Sequence, residues 1–123
     1  MVVIQMASKT LTDRNFDVEL VAPGKIVLVI FYDENCSNHY LIEPGLAKLD
    51  GQYNQQVKFC RINTRKNPKT TERFRVFVSP TILFFKEENL IESLAGTFPP
   101  VEVENIILKL ITEVGSGLSP SKS

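Results

Sequence analysis

The chain has 123 residues, 43% of them hydrophobic, and its 14 basic residues balance its 14 acidic ones. This length and composition predict one globular domain with a substantial buried core. A net charge of zero, without a long run of one sign, argues against a protein that binds nucleic acid or a membrane surface through electrostatics.

The first part of the chain predicts an edge strand, a short helix and a central strand. Residues 3–11 are weakly patterned and fit the edge strand. Thr12 is a candidate N-cap for a helix that has Phe16 and Leu20 on one face. Residues 26–32 are seven consecutive apolar residues after a Pro-Gly pair, and they predict a strand that is buried on both faces.

The next segment predicts a helix and a second strand. Apolar residues recur there at helical spacing and stop near Gly51; they are Tyr40, Leu41, Ile42, Leu46, Ala47 and Leu49. Residues 57–63 then fit a strand. A strand, a helix and another strand in this order form a parallel, right-handed βαβ unit.

The last part predicts a short helix, a hairpin and a long helix. Residues 69–74 follow a turn-rich segment and fit the short helix. The core of residues 76–86 fits a strand with a proline at its start, where the missing N–H is tolerated. Residues 90–94 fit its antiparallel partner after a turn at 87–89, and Gly96 ends this second strand. The long helix has the clearest period, with an apolar face of Val103, Ile106, Ile107, Leu110, Ile111 and Val114.

This order of elements predicts an α/β fold with a mixed five-stranded sheet and helices on both faces. We expect the domain to cover residues 1–114. Residues 115–123 are rich in Gly, Ser and Pro and predict a disordered C-terminal tail.

Cys36 is the first candidate for chemistry, because it lies where the central strand meets the N-terminus of the next helix. Open α/β sheets bind ligands and carry out reactions at the carboxyl ends of their strands. The positive N-terminal end of a helix also stabilises a thiolate. His39, the only histidine, follows three residues later, within reach on the first helical turn. Each residue also has a structural interpretation. Cys36 could instead be a small buried apolar residue, and His39 could be a surface or core histidine without a role in the chemistry.

The spacing around Cys36 resembles the thioredoxin family. In that family a strand is followed by Cys-x-x-Cys and by a helix with a proline eight residues after the first cysteine. Here Pro44 lies eight residues after Cys36, and His39 stands in place of the second cysteine. The resemblance covers roughly residues 3–112 and includes an Asn-x-x-x-Asn-Pro segment at 63–68.

The resemblance implies a thioredoxin-like fold and a set of site residues. Cys36 takes the position of the attacking thiolate, with His39 as its modulator. Ser79-Pro80-Thr81 resembles the cis-proline loop, and Gly96 resembles the glycine that faces the active site. A groove for an extended peptide would then be formed by Asn35, Ser37, Asn38, Ser79, Pro80 and Gly96.

Other positions depart from the family. The resemblance places a buried aspartate at position 30 and a lysine at position 61, where this chain has Ile30 and Arg61. Asn35 replaces the tryptophan before the motif. In the family, the aspartate accepts a proton from the second cysteine, so the base is missing together with the cysteine that it serves.

The loss of the second thiol predicts single-thiol chemistry. Thiol–disulfide exchange passes through a mixed disulfide, which a neighbouring thiol resolves with an effective molarity that can reach ~10⁵ M. Here an external thiol such as glutathione has to do so. In the parallel pairing Cys60 lies level with about Ile30, and the six residues of extended chain from there to Cys36 span roughly 20 Å at ~3.3 Å per residue. A disulfide requires Cα atoms within ~7 Å. We therefore expect Cys60 to be structural.

We predict neither a metal nor a cofactor. Cys36, His39 and Asp33 could converge, but zinc needs four ligands, or three and a water. No phosphate loop or dinucleotide fingerprint is present. The N-terminus lacks the pattern of a signal peptide, no stretch approaches the ~20 apolar residues of a membrane span, and two cysteines make no disulfide framework. We expect a cytoplasmic protein with reduced thiols.

Two functions remain open. One is a monothiol oxidoreductase in cell redox homeostasis, which acts on protein or peptide thiols and disulfides and uses glutathione. The other is a redox-degenerate module that binds peptides or a partner protein through the cis-proline groove. Neither has a nucleic-acid or membrane partner. A catalyst needs an exposed Cys36 with a low pKa, whereas a binding module tolerates Cys36→Ser.

Overall fold

The structure is a computed structural model that describes residues 9–35, 38–96 and 98–116, without the side chains of 38–41 and 113–116. Its elements in chain order are β1 (Lys9–Leu11), α1 (Phe16–Glu19), β2 (Ile26–Tyr32), α2 (Asn38–Tyr53), β3 (Val57–Asn63), α3 (Pro68–Arg73), β4 (Thr81–Lys86), β5 (Asn89–Ala95) and α4 (Pro100–Ser116). The predicted α/β class and element order are confirmed.

The described strands form one mixed sheet of five strands in the order β1-β3-β2-β4-β5. β3 pairs in parallel with β1 and with β2. β4 pairs antiparallel with β2 and with β5. The prediction of a mixed five-stranded sheet is therefore confirmed, with β2 at its centre.

Side chains of β2 alternate between two cores, one on each face of the sheet. Ile26, Leu28 and Ile30 pack in a cluster with apolar residues of α2 and α4. The intervening residues of β2 pack in a second cluster with residues of α1 and with the segment after α3. Residues 26–31 are all buried, as the run of apolar residues predicts.

Several element boundaries differ from the sequence prediction by one or two residues, among them those of α3 and β5. The described part of the first strand is Lys9–Leu11, and residues 1–8 lie outside the described residues. Helix α1 begins at Phe16, directly after Asn15, which makes no side-chain cap hydrogen bond. Thr12 makes the predicted capping contacts in the turn before it: its hydroxyl accepts the N–H groups of Arg14 and Asn15 at 3.2 and 3.3 Å, and its carbonyl accepts the Phe16 N–H at 3.0 Å. Helix α4 reaches Ser116, two residues past the expected end of the domain, and most of the expected tail lies outside the described residues.

Strand directions bring the candidate site residues to one edge of the sheet. The carboxyl ends of the parallel strands β2 and β3 lie side by side, since Tyr32 pairs with Asn63. The start of the antiparallel strand β4 lies at the same end, where Phe31 pairs with Thr81. Thr81 also pairs with Ala95, so the end of β5 completes this edge.

Candidate functional site

The exit of β2 is held against the loop before β4. The Asp33 N–H donates a hydrogen bond to the Ser79 hydroxyl at 2.9 Å, and the Thr64 N–H donates to the Tyr32 carbonyl at 2.8 Å. The peptide bond between Ser79 and Pro80 is cis. The hydrogen bond from Asp33 to Ser79 connects the chain that leads to Cys36 with the loop that the resemblance assigns to substrate binding.

Gly96 belongs to the same constellation. Its N–H donates to the Pro80 carbonyl at 3.0 Å, and its φ of +90° lies in a region that strains side chains other than glycine. A Cβ at this position would meet no atom within 4 Å, so the residue faces open space. The structure thus brings together Ser79, Pro80 and Gly96 from the predicted groove.

Cys36 and Ser37 lie outside the described residues, and so do the side chains of Asn38 and His39. The turn that leads to them is described. The exposed Asn35 donates its N–H to the Asp33 carboxylate at 2.9 Å, which is an Asx turn. Helix α2 begins at Asn38, three residues after Asn35, so the predicted nucleophile lies between this turn and the start of the helix.

An ion pair at this edge was absent from the sequence prediction. Arg65 donates from Nε to the Asp33 carboxylate at 2.8 Å, and Asn63 donates from Nδ2 to the Glu34 carboxylate at 3.2 Å. These contacts connect the loop after β2 with the loop after β3. The parallel βαβ unit predicted from the sequence could have indicated that these two loops meet, because the carboxyl ends of its two strands must be neighbours.

Ile30 and Arg61, which replace the family's aspartate and lysine, face each other across β2 and β3. Ile30 is completely buried in the core between the sheet and α2. Arg61 pairs with Glu43 of α2, and its guanidinium lies 5.3 Å from the centre of the Tyr32 ring. The position at which the family has a buried acid is therefore apolar in this chain, and the charge of Arg61 is balanced by the Glu43 carboxylate of α2.

Cys60 is a free thiol in the second core, completely buried and paired with Val29 of β2. Burial raises the pKa of the Cys60 thiol to about 12, because a thiolate would lose its hydration there. Cys60 is therefore protonated at neutral pH and does not act as a nucleophile. This agrees with the prediction that it is structural.

Phe77 is a second feature that the sequence did not reveal. It is 84% exposed, and the next residue, Val78, is 48% exposed. Both residues line two cavities: one of about 250 Å³ shared with Asp33, Arg65 and Ser79, and one of about 210 Å³ on the side of β5. Phe77 and Val78 thus form a small exposed apolar surface beside the site.

The described residues contain no group of three or more His, Cys, Asp or Glu side chains that could hold a metal ion. Cys36 and the side chain of His39 lie outside the described part of the chain. Within the same described ranges, no helix is both long and apolar enough to cross a membrane.

The central β2, the cis Pro80 and the helices on both faces define a thioredoxin-like α/β protein. The model of the thioredoxin family matches residues 7–109. The chain therefore belongs to the thioredoxin family, and membership supports a thiol–disulfide redox function in general terms.

Individual relatives agree with this assignment. Thioredoxin of Alicyclobacillus acidocaldarius is 31% identical over 98 residues, which are 80% of this chain and 92% of the relative. Thioredoxin 1 of Synechococcus elongatus is 28% identical over the same shares of the two chains. A solved chain from a study of the thiol resolving mechanism of yeast mitochondrial 1-Cys peroxiredoxin via glutathione/thioredoxin systems superposes with a TM-score of 0.76 and 23% identity, over 84% of this chain and 95% of that one. This last likeness concerns the fold.

Proposed function

We propose that the protein is a monothiol thiol–disulfide exchange protein, with Cys36 as the nucleophile and with a peptide groove formed by Ser79, Pro80 and Gly96. One observation carries the proposal. The hydrogen bonds from Asp33 to Ser79 and from Gly96 to Pro80 hold these residues together at the end of the strand that leads to Cys36, which supports a groove at this position. A substrate in the groove would lie beside the turn from which Cys36 follows.

The proposed reaction has two exchange steps. The Cys36 thiolate attacks one sulfur of a substrate disulfide, the S–S bond breaks, and the other sulfur leaves as a thiolate. Cys36 and the substrate are then joined in a mixed disulfide. Glutathione thiolate attacks the substrate sulfur of this mixed disulfide, which releases Cys36 as a thiolate and leaves the substrate glutathionylated. One substrate sulfur has now been released as a thiol. A second glutathione thiolate attacks the glutathione sulfur of the glutathionylated substrate and releases the other substrate sulfur together with glutathione disulfide, so the complete reduction consumes two glutathione molecules in total.

An external thiol is required because the described interior offers no substitute. Cys60 is buried and protonated, so it cannot resolve the mixed disulfide. Position 39 holds a histidine in place of the family's second cysteine, and Ile30 stands where the family has the acid that serves that cysteine. Glutathione is kept reduced in the cytoplasm, which is the compartment that we propose for this reaction.

We assign two contributions to the activation of Cys36. The N-terminus of α2 stabilises a nearby thiolate by ~0.3–1 kcal/mol at the surface and by up to ~2 kcal/mol when partly buried. A nearby His39 imidazolium would add to this stabilisation and would itself be stabilised by the thiolate. We therefore expect a Cys36 pKa below the usual ~8.5.

The rate of iodoacetamide alkylation of Cys36 against pH tests the proposal, with Cys60→Ala as the background. We expect the apparent pKa to rise when His39 is replaced in His39→Ala. Equal titration curves for the two forms would make His39 a bystander. A Cys36 pKa at or above the ordinary value in both forms would contradict the monothiol enzyme.

A second function is favoured by the exposed Phe77 and Val78 beside the groove. In this alternative the chain is a redox-degenerate module that binds a peptide or a partner protein. Binding that survives Cys36→Ser, together with an ordinary Cys36 pKa, would establish the module in place of the enzyme.

A further inference from the structure

The cavity on the β5 side of Phe77 has the dimensions of a pocket for one side chain. Its volume is about 210 Å³, below the ~300–1,000 Å³ of pockets that hold drug-sized molecules. Its apolar wall is formed by Val76, Phe77, Leu83 and Ala95. We call it the β5 cavity. A large aliphatic or aromatic side chain would fill it.

The rim of the β5 cavity is positively charged. Arg75 lines it, and among the described residues Arg75 takes part in no ion pair. A partner with carboxylates beside its apolar side chain would be complementary to this surface.

The neighbouring sheet edge suits an extended partner. β5 is an edge strand of the sheet, and its Leu90 and Ile91 are 47% and 39% exposed. An edge strand presents backbone N–H and carbonyl groups to which an extended segment can bind. Ala95, at the end of β5, leads directly to Gly96 of the proposed groove.

We propose that the β5 cavity is a specificity pocket for extended acidic and apolar peptide segments. A bulky apolar side chain of the segment lies beside Phe77, and an adjacent carboxylate pairs with Arg75. The pocket rests on the proposed function, because it selects which protein disulfides are presented to Cys36. The partner is thus distinguished by a run of alternating acidic and bulky apolar residues near its reactive cysteine.

Binding is tested on the whole chain carrying Cys36→Ser, so that no covalent bond forms. The probe is a fluorescein-labelled peptide with a Glu-Leu-Glu-Leu-Glu run, and its affinity is measured by fluorescence anisotropy. Two matched peptides carry Lys for each Glu or Ser for each Leu. We expect the Glu-Leu peptide to bind about tenfold or more tightly than either, with an affinity that falls as salt is added.

Matched protein variants identify the pocket. Phe77→Ser and Arg75→Gln should each weaken binding of the Glu-Leu peptide by about tenfold. Val18→Ser changes another apolar residue that is 70% exposed, and Lys69→Gln removes an exposed charge. Neither residue lines the β5 cavity, so both variants should stay within about twofold. Equal losses in all four variants, or equal affinities for the three peptides, would overturn the pocket.

An exchange assay separates this inference from the proposed function. Mixed disulfides of glutathione with cysteine-containing Glu-Leu and Lys-Leu peptides are given to the protein with Cys36 intact. Selective binding of the Glu-Leu peptide without any exchange at Cys36 would support the specificity pocket and contradict the monothiol enzyme. Exchange at equal rates with both peptides, and at the same rates in Phe77→Ser, would support the monothiol enzyme and contradict the specificity pocket. A dimer in sedimentation that is lost in Phe77→Ser, together with no peptide binding, would assign the cavity to a second copy of the chain and overturn the inference.

Discussion

Cys60 illustrates how burial alone decides what a residue can do. A thiol that would be reactive at the surface is here fully enclosed in the second core, and burial raises the pKa of Cys60 to about 12. Because the family's resolving cysteine is also absent, the described interior holds no thiol that could resolve a mixed disulfide.

The raised pKa of Cys60 predicts a loss of stability in alkali. In the unfolded chain a cysteine ionises near ~8.5, whereas the folded chain keeps the proton up to about pH 12. Between these values the unfolded state binds fewer protons, so the free energy of unfolding falls as pH rises, by at most ~1.4 kcal/mol per pH unit. Below the unfolded pKa the full stability is present.

Urea unfolding between neutral pH and pH 10 measures this effect. Both proteins carry Cys36→Ser, and one also carries Cys60→Ala, which removes the titrating group. We expect the stability difference between them to shrink as pH rises. A difference that is constant with pH would show that Cys60 does not contribute.

At the scale of elements, α2 contains two glycines with opposite roles. A Cβ on Gly45 would lie 2.5 Å from Cγ and 2.7 Å from Cβ of Pro100, so this glycine allows α2 to approach the start of α4. Gly51, in the same helix, has nothing within 4 Å of such a Cβ. The close approach of the two helices thus depends on position 45.

Replacing each glycine by alanine should change stability in opposite directions. Gly51→Ala should stabilise by ~0.5–1 kcal/mol, since alanine is the better helix former and the space is open. Gly45→Ala should destabilise by ~1–3 kcal/mol, because the rigid Pro100 ring has to move. Thermal or urea unfolding measures both, and stabilisation by both substitutions would contradict the close packing of α2 on α4.

The β4–β5 hairpin is built with an unfavourable turn. Lys86 pairs with Asn89 across a two-residue turn, and its central residues Glu87 and Glu88 have φ values of +48° and +68°. These are the left-handed conformations of a type I′ turn, which favours Asn-Gly. The sequence predicts the turn at this place but leaves its geometry to the strand register.

Glu88→Gly should therefore stabilise the protein by about 1 kcal/mol, because glycine adopts positive φ without steric cost. The matched control is Glu72→Gly, an exposed position within α3, which should destabilise by a similar ~0.8–1 kcal/mol. Urea midpoints of the two variants decide the matter, and a loss of stability in Glu88→Gly would exclude the left-handed turn.

At the scale of the whole molecule, the core beneath the site limits its redox chemistry. Ile30 is completely buried where the family has an acid, and Arg61 is paired with Glu43. A second thiol placed at position 39 would therefore find no base to accept its proton.

Insulin reduction with thioredoxin reductase as the electron source tests this limit. We expect at least about a tenfold lower rate than for a two-thiol thioredoxin, because no intramolecular thiol resolves the mixed disulfide. His39→Cys should raise the rate only in part, whereas adding Ile30→Asp to it should raise the rate further. Rapid turnover by the unchanged protein would contradict single-thiol chemistry.

The sequence by itself determined the class of fold and the order of its elements. Local patterns were sufficient for this, since β2 is an uninterrupted apolar run buried on both faces and α4 keeps one apolar face, with Val103, Ile107 and Leu110 buried. The cis-proline loop and Gly96 were assigned through the family resemblance.

Only the tertiary structure decided which distant residues meet. Asp33 and Arg65 are 32 residues apart, and Glu43 and Arg61 are 18 apart, so no local pattern indicates either pair. The exposure of Phe77 has the same origin. An aromatic residue in an apolar stretch predicts burial, but the turn after α3, where Arg75 has a φ of +54°, is followed by a segment in which Val76 is buried and Phe77 is exposed. Side-chain direction there depends on how the chain returns to the sheet, which is a property of the packed molecule.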